Sequence, residues 1–403
     1  MNKIRDKFLK LGVDFAPGQE GRHASYKIKP IGDKLEGTPV DFSHGDVNAF
    51  EPTPGTLDLF VKGVQLGAEQ AYTEYAGKKN IREHLAEKLS AFTNVPVEKT
   101  KNLLITPGTQ GALFLAMGSL LTRGDKVAIV EPDYFANRKL VQYFEAEICH
   151  VRMSYLESKQ CAGIDLNKLE EAFKSGAKLF LFSNPNNPTG VVYSKDEINE
   201  IAAIANRYGA YVIADQLYAR QIFESRPYTH LCGTEMNPDN LITIMGPSKT
   251  ESLSGYRLGT AFGSSEIIER MEKLQAIVSL RAPGYNQAVL NAWFNEPEGW
   301  LEDRIQKHQR IRDDILNLLS TANGFQVRPT EAGSYLFPKF PELSIGLSDF
   351  VKILRSHANV IVTPGFEFGP QFTDSFRINF SQDHDAAINA IKRIIEMTGR
   401  YSR

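Results

Sequence analysis

Short apolar runs alternate with amphipathic stretches from about Leu57 to Leu280, and this alternation limits the possible folds more than any other feature of the chain. Strands are predicted over residues 102–106, 126–130, 147–153, 178–183, 211–214, 241–245 and 260–263. Helical spacing separates them, for example over residues 110–121, 166–174 and 196–208, the last opened by a capping-box pattern, Ser194 to Glu197. Alternating strands and helices form largely parallel sheets with both faces covered. We therefore expect an α/β fold with a mostly parallel, seven-stranded sheet covered by helices.

The pattern changes after Glu266. Long helices are predicted over residues 267–279 and 300–321, followed by strands at 325–328, 334–337 and 375–381 and a closing helix at 384–397. A chain of 403 residues is also too long for one hydrophobic core. We expect residues 1–55 to form an N-terminal arm and part of a small domain, residues 56–290 a large domain, and residues 291–403 the rest of a smaller α+β domain.

The charge balance argues against nucleic acid or a membrane surface as a partner, because 46 basic residues nearly cancel 48 acidic ones. The three cysteines lack metal-type spacing and fit a reducing compartment. Residues 1–15 mix charged with apolar side chains, which is typical of an amphipathic helix or arm and not of a signal peptide. We expect a soluble, cytoplasmic protein without a bound metal.

Lys249 lies in a segment rich in hydroxyls, between Ser248 and Arg257. A lysine amine can form a Schiff base with an aldehyde, while serine hydroxyls and an arginine can neutralise a phosphate on the same molecule. Pyridoxal phosphate carries both groups. The alternative from this segment alone is an ordinary solvated lysine in a turn.

Two turns follow predicted strands, where open α/β sheets bind ligands. Gly108, Thr109 and Gln110 stand where a strand passes into a helix, so their amides and side chains suit an anion. A simple turn with Thr109 as helix N-cap is the alternative. Tyr134, with Phe135 beside it, could stack on an aromatic ring or pack in the core.

Two further segments at strand ends carry polar side chains. Two Asn-Pro pairs within residues 183–190 predict a rigid turn that aims Asn187. Asp215 follows an apolar strand and precedes Tyr218 by three residues. A buried carboxylate needs a partner, which a protonated pyridine nitrogen or a structural salt bridge could supply.

The ordered set of these residues resembles the class I and II aminotransferases, pyridoxal-phosphate enzymes of fold type I, over nearly the whole chain. The resemblance implies that Lys249 holds the cofactor as an aldimine and carries the proton between substrate and cofactor. It implies that Asp215 pairs with the ring nitrogen, that Asn187 and Tyr218 bind the ring's 3′ oxygen, and that Tyr134 stacks on the ring. The residues implied around the phosphate are Gly108, Thr109, Gln110, Ser248, Arg257 and, from the neighbouring subunit of a homodimer, Tyr72.

The same resemblance implies the substrate contacts. Arg377 matches the arginine that binds the α-carboxylate, with Asn187 assisting, and Gly45 matches a glycine that closes over the substrate. Val47 replaces the usual proline and His44 is unusual before the glycine, so the identity of the substrate is left open. His44 and Arg281 are the two candidates for contact with its side chain. Arg281 could bind an acidic side chain, touch the partner's phosphate, or be a plain surface arginine.

The expected reaction is therefore transfer of an amino group between an L-amino acid and a 2-oxo acid. The same site could instead serve a lyase that catalyses β-elimination or decarboxylation. A non-catalytic sensor joined to a DNA-binding module is a third alternative, but only about fifty residues precede the expected large domain and they lack a helix-turn-helix pattern.

Overall fold

The computed structural model describes residues 3–11, 29–98 and 101–403. Of the predicted N-terminal arm, residues 1–2 and 12–28 lie outside the described residues. The amphipathic helix predicted near the N-terminus is present as Lys3–Lys10. Among the described residues, no helix combines the length and apolar composition needed to cross a bilayer.

The described residues form helices and strands in alternation over the first two thirds of the chain. The helices are α1 (Lys3–Lys10), α2 (Thr56–Gln65), α3 (Ala68–Ala71), α4 (Lys79–Thr93), α5 (Gly108–Leu120), α6 (Phe135–Tyr143), α7 (Leu166–Lys174), α8 (Lys195–Tyr208), α9 (Ser265–Val278), α10 (Trp300–Thr321), α11 (Leu347–Ala358) and α12 (His384–Tyr401). The strands are β1 (Val40–Asp41), β2 (Leu103–Thr106), β3 (Lys126–Glu131), β4 (Glu147–Arg152), β5 (Ala177–Ser183), β6 (Tyr211–Asp215), β7 (Leu241–Met245), β8 (Gly259–Gly263), β9 (Tyr335–Leu336), β10 (Val360–Ile361), β11 (Thr363–Pro364) and β12 (Phe376–Asn379).

Within the described residues, the central sheet has seven strands in the order β2-β8-β7-β6-β5-β3-β4. The pairs from β7 to β4 are parallel, whereas β8 runs antiparallel to both of its neighbours. The predicted mostly parallel sheet is confirmed. The first and last residues of each predicted strand lie within one residue of the observed bounds.

The sheet is buried on both faces because its central strands are apolar at consecutive positions. In β5, Phe180 and Phe182 pack in the core beneath α7 and α8, whereas Leu179 and Leu181 pack against α5 and α9 on the opposite face. This follows from the two-residue period of a strand. The predicted capping box opens α8, since Ser194 and Glu197 each bond the other's backbone amide.

A second hydrophobic core joins the chain before α2 to the C-terminal third. Val40 and Phe42 pack there with apolar side chains of α10, α11 and α12. Strand β1 pairs in parallel with β10, and β12 lies antiparallel between β11 and β9. Helix α10 matches its predicted bounds, and α12 begins at the predicted residue but continues to Tyr401.

The predicted strand at residues 325–328 is wrong. These residues make only an isolated bridge, between Gln326 and Lys339. The buried Arg328 fastens the segment through its side chain instead, donating to the carbonyls of Tyr155 and Cys161 at 2.8 and 2.9 Å. Pro329 follows directly and has no amide to extend a ladder.

Candidate active site

Loops at the carboxyl ends of the parallel strands meet at one edge of the central sheet. Ser183 ends β5 and Asp215 ends β6, and these two residues are partners in the sheet register. The connection from β7 to β8 carries Lys249 and Arg257 to the same edge. The turns that the sequence singled out therefore come from neighbouring strands, as the rule for ligand sites in open α/β sheets requires.

Asp215 is a buried carboxylate with little compensation. It is 6% exposed, and one of its oxygens accepts a hydrogen bond from the Leu217 amide at 3.1 Å. Burial raises the pKa of Asp215 to about 6, although the hydrogen bond from Leu217 acts to lower it. Among the described residues, no cation contributes to this pKa. The alternative of a structural salt bridge thus has no support, and the carboxylate can accept a cationic ligand.

The buried Arg377 binds the turn that follows β5. Its Nη1 donates to the side-chain oxygen of Asn187 at 3.0 Å, and its Nη2 donates to the Ser43 carbonyl at 2.8 Å. A guanidinium has no acceptor, so the Asn187 atom in contact must be the oxygen, which leaves the amide nitrogen as a donor. The Nε of Arg377 is buried and has no partner within the described residues.

Tyr218 meets a second tyrosine that the sequence analysis did not single out. The hydroxyls of Tyr218 and Tyr335 are 2.5 Å apart, and the Arg377 guanidinium lies 4.3 Å from the centre of the Tyr335 ring. Burial raises the pKa of Tyr218 well above its ordinary value. Burial also acts to raise the pKa of Tyr335, but the nearby charges of Arg377 and Lys249, together with the hydrogen bond shared with Tyr218, outweigh it and lower that pKa.

The start of α5 and Arg257 form a cradle for an anion. Gly108 opens the helix with φ +75°, and a Cβ at this position would collide with the Arg257 guanidinium. The N-cap is Pro107, whose side chain makes no capping bond, so the first-turn amides are available. Thr109 lies inside the helix, and the alternative that it serves as the N-cap is therefore wrong. Ser248 is buried nearby in the β7–β8 connection.

Tyr134 is half-buried and donates its hydroxyl to the Gln110 side-chain oxygen at 3.1 Å. Beneath it, Asp133 accepts the backbone amides of Tyr134 at 2.6 Å and Ser183 at 3.0 Å, together with the Ser183 hydroxyl. The Ser183 hydroxyl oxygen in turn accepts a hydrogen bond from the Asn187 backbone N–H at 3.2 Å. Burial raises the pKa of Asp133 to about 8. Sequence reasoning missed this residue, although it directly precedes Tyr134.

Lys249 is partly buried, unlike the solvated turn lysine considered from sequence alone. It lines a small cavity with Gly45, Ser248, Asn379 and Ser381. Arg304 of α10 supports its loop by donating to the Thr250 carbonyl and the Ser252 hydroxyl, both at 2.8 Å. Lys249 thus borders a confined space between the β7–β8 connection and the end of β12.

Three sequence candidates lie outside that small cavity. His44 is 62% exposed, contacts the Asp41 carboxylate at 3.3 Å, and lines a larger adjoining cavity whose wall includes Gly45. Arg281 donates to the Thr73 carbonyl at 2.6 Å, and its guanidinium lies 5.5 Å from the centre of the Tyr72 ring. Tyr72 itself is 76% exposed.

The arrangement fits pyridoxal phosphate group by group. Asp215 lacks the cation that a protonated pyridine would supply. The first turn of α5 with Arg257 suits a phosphate, and the Asn187 amide with the Tyr218 hydroxyl can donate to a ring oxygen. Lys249 offers an amine to an aldehyde.

Comparisons with known proteins agree with this chemistry. The family described as aminotransferase class I and II matches residues 58–394. The chain is similar to a solved aspartate aminotransferase from Rhodobacter sphaeroides 2.4.1, with 58% identity, a TM-score of 0.94, and coverage of 99% of this chain and 100% of that one. It is 27% identical over 358 residues to a probable aspartate aminotransferase from Methanocaldococcus jannaschii, covering 86% of this chain and 92% of that protein. It is 29% identical over 325 residues to an aspartate aminotransferase from Pyrococcus horikoshii, covering 80% and 82% respectively.

Proposed function

Because the chain belongs to the class I and II aminotransferase family, we propose that the site around Lys249 performs that family's reaction. The protein is a pyridoxal-phosphate-dependent aminotransferase, which exchanges an amino group between an amino acid and a 2-oxo acid. The family match and the named relatives favour transamination over the elimination, decarboxylation and sensor alternatives.

The observation that carries the assignment of roles is the hydrogen bond from Arg377 to Asn187. Arg377 keeps a buried Nε without a protein partner, which suits two-pronged binding of a substrate α-carboxylate. Asn187, with its oxygen engaged, offers its amide nitrogen to the 3′ oxygen of the cofactor ring. One bond thus links the group that holds the substrate to a group that holds the cofactor.

The remaining roles follow from charge and position. When bound, the cofactor supplies an electron sink that makes the substrate Cα acidic. Asp215 keeps the ring nitrogen protonated, and Tyr218 donates to the 3′ oxygen while Tyr134 covers the ring. Lys249 anchors the cofactor, and its amine accepts the proton that leaves Cα. Gly108, Thr109, Gln110, Ser248 and Arg257 hold the phosphate.

We propose L-aspartate as an amino donor, with support from the relatives named aspartate aminotransferase. His44 is one candidate for the side-chain carboxylate. Its hydrogen bond to Asp41 raises its pKa, which favours the cationic form at the wall it shares with Gly45. Arg281 is the second candidate, acting beside Tyr72 on the site of a partner subunit.

A homodimer with shared sites is part of the proposal. Tyr72 is 76% exposed and could reach the partner's phosphate. Large apolar side chains are also exposed on α2, which precedes Tyr72 in the sequence, and on α9. Leu57 of α2 is 66% exposed and Ile277 of α9 is 82% exposed, which supports burial of these side chains against a second copy. The domain boundaries at residues 55 and 290 and the cytoplasmic location predicted from sequence also belong to the proposal.

Borohydride reduction of the holoenzyme followed by peptide mapping tests the cofactor assignment. We expect the label on Lys249 and on no other lysine. Lys249→Ala should retain the fold but lose the half-reaction with amino acids. A panel of donors including aspartate, alanine and tyrosine, with one fixed 2-oxo acid acceptor, identifies the substrate. Label on another lysine, or products of elimination in place of 2-oxo acids, would contradict the proposed roles.

A further inference from the structure

We propose that Tyr335 is a positioning residue, which keeps Tyr218 oriented as a hydrogen-bond donor to the cofactor ring and couples that donor to Arg377. The inference rests on the roles proposed above for Tyr218 and Arg377. It adds a residue that neither the sequence motifs nor the family resemblance pointed to.

The sheet pairing places Tyr335 between the two groups. Tyr335 opens β9 opposite Asn379 of β12, so Arg377, two residues earlier on β12, is its diagonal neighbour. Diagonal neighbours are within reach of long side chains, and here the guanidinium lies 4.3 Å from the ring centre. The Tyr335 hydroxyl then meets the Tyr218 hydroxyl at 2.5 Å, with the two rings edge to face at 77°.

Gly333 also holds Tyr218 in place. Gly333 has φ +71°, and a Cβ there would approach the Tyr218 ring to 3.3 Å, so the backbone packs directly on the ring. Gln221, three residues after Tyr218, donates its side-chain amide to the Gly333 carbonyl at 2.9 Å. These contacts tie the segment of Tyr218 to the chain two residues before Tyr335.

The number of protons sets the direction of the hydroxyl bond once the cofactor is bound. At 2.5 Å either hydroxyl can donate to the other. A phenol has one proton, so when Tyr218 donates to the ring oxygen of the cofactor, Tyr335 must donate to the Tyr218 oxygen. The Tyr218 proton then points away from Tyr335.

Asn187 and Tyr218 would then present their donors to the cofactor in the same way. Arg377 donates to the side-chain oxygen of Asn187, and Tyr335 would donate to the Tyr218 oxygen when the cofactor is bound. Each is left with a donor for one oxygen of the ligand. Chains of hydrogen bonds strengthen one another, so donation by Tyr335 should also strengthen donation by Tyr218.

The visible chromophore of the bound cofactor reports on this donation. A donor to the 3′ oxygen stabilises the deprotonated chromophore, so weaker donation raises the chromophore pKa. Tyr335→Phe should raise it by roughly half a unit, the size expected for part of one hydrogen bond. The kcat should fall several-fold, while the KM for the amino donor changes little because the ring beneath Arg377 remains.

Three further variants sharpen the test. Tyr335→Leu also removes the ring, so it should raise the KM in addition. Replacement of Tyr335 by 3-fluorotyrosine, a stronger acid, should lower the chromophore pKa. Tyr155→Phe is the matched control, because Tyr155 is buried and donates to the Phe337 carbonyl at 2.9 Å, beside β9 but away from Tyr218. It should leave the chromophore pKa unchanged.

An unchanged chromophore pKa in Tyr335→Phe, with a raised pKa in Tyr218→Phe, would overturn the role of Tyr335 and leave the proposed function intact. If Tyr218→Phe also leaves the chromophore pKa unchanged, the role proposed for Tyr218 is contradicted too. The proposal is supported if Tyr335→Phe raises the chromophore pKa, the fluorotyrosine variant lowers it, and Tyr155→Phe leaves it unchanged.

Discussion

The Arg377 guanidinium donates to the side-chain oxygen of Asn187 at 3.0 Å, and this bond joins a strand of the second core to a turn of the central sheet. The two residues are 190 positions apart in the chain. Any displacement of β12 relative to β5 therefore disturbs both the carboxylate-binding group and a donor to the ring.

Arg377→Lys should raise the KM for both amino acid and 2-oxo acid by roughly ten- to a hundredfold, because an ammonium cannot replace a two-pronged donor and loses about one charged hydrogen bond. Steady-state kinetics with both substrates measures this. Affinity for the cofactor should change far less. An equal loss in cofactor affinity would indicate that Arg377 supports the fold of the site and does not bind substrate.

Asp215→Asn should stabilise the cofactor-free protein at neutral pH. The folded-state pKa of about 6 lies above the ordinary 3.8, so the contribution of Asp215 to stability is full below 3.8 and is lost as the pH rises through 6. Asparagine avoids the buried anion, and the gain is at most about 3 kcal/mol. The same variant should lose most of its kcat once the cofactor is bound.

Thermal unfolding of the cofactor-free protein over a pH series measures the first effect. The advantage of Asp215→Asn should shrink as the pH falls towards 3.8, where the native carboxyl is also neutral. A constant difference across the series would assign the gain to another cause.

Gly108→Ala should weaken cofactor binding by about tenfold or more, because the added Cβ displaces Arg257 and costs about one hydrogen bond to a charged group. Gly124→Ala is the matched control, since Gly124 also has positive φ, at +85°, but open space where the Cβ would stand. Both variants should lose similar thermal stability from backbone strain. Only Gly108→Ala should bind the cofactor more weakly when the cofactor is titrated into the apo-protein. Equal losses of affinity in the two variants would contradict a role of the Gly108 turn in phosphate binding.

Arg281→Ala should lower the turnover of aspartate relative to that of an aromatic amino acid, if Arg281 binds an acidic side chain across the dimer. The ratio of kcat/KM for the two donors is the measurement, with His44→Ala compared in parallel. An unchanged ratio in Arg281→Ala would remove this residue from substrate recognition and leave His44 as the candidate.

The central sheet could be predicted closely because its signal is local. Buried parallel strands are continuous apolar runs, and turn residues mark their ends. The site turns followed from the same logic, because the carboxyl ends of such strands lie at one edge. The prediction of a strand at residues 325–328 was wrong because the side chain of Arg328 anchors this segment through a distant contact with Tyr155. The few apolar residues of the segment do not indicate that contact.

Tyr335 and Asp133 escaped prediction for a different reason. Each acts through a partner that is remote in sequence, Tyr218 for the first and Ser183 for the second. Tyr335 is indistinguishable in sequence from any apolar strand residue, and only the pairing of β9 with β12 brings it to Arg377. Such contacts depend on tertiary register, which no local pattern encodes.

The groups proposed to hold the cofactor lie on loops of the central sheet, whereas Arg377 and Tyr335 lie on β12 and β9. Substitutions on these two strands can therefore reshape the carboxylate-binding side and adjust the hydrogen bonds to the ring through Asn187 and Tyr218, while Lys249, Asp215 and the phosphate cradle stay in place. Such a division lets substrate preference diverge during evolution without rebuilding the attachment of the cofactor.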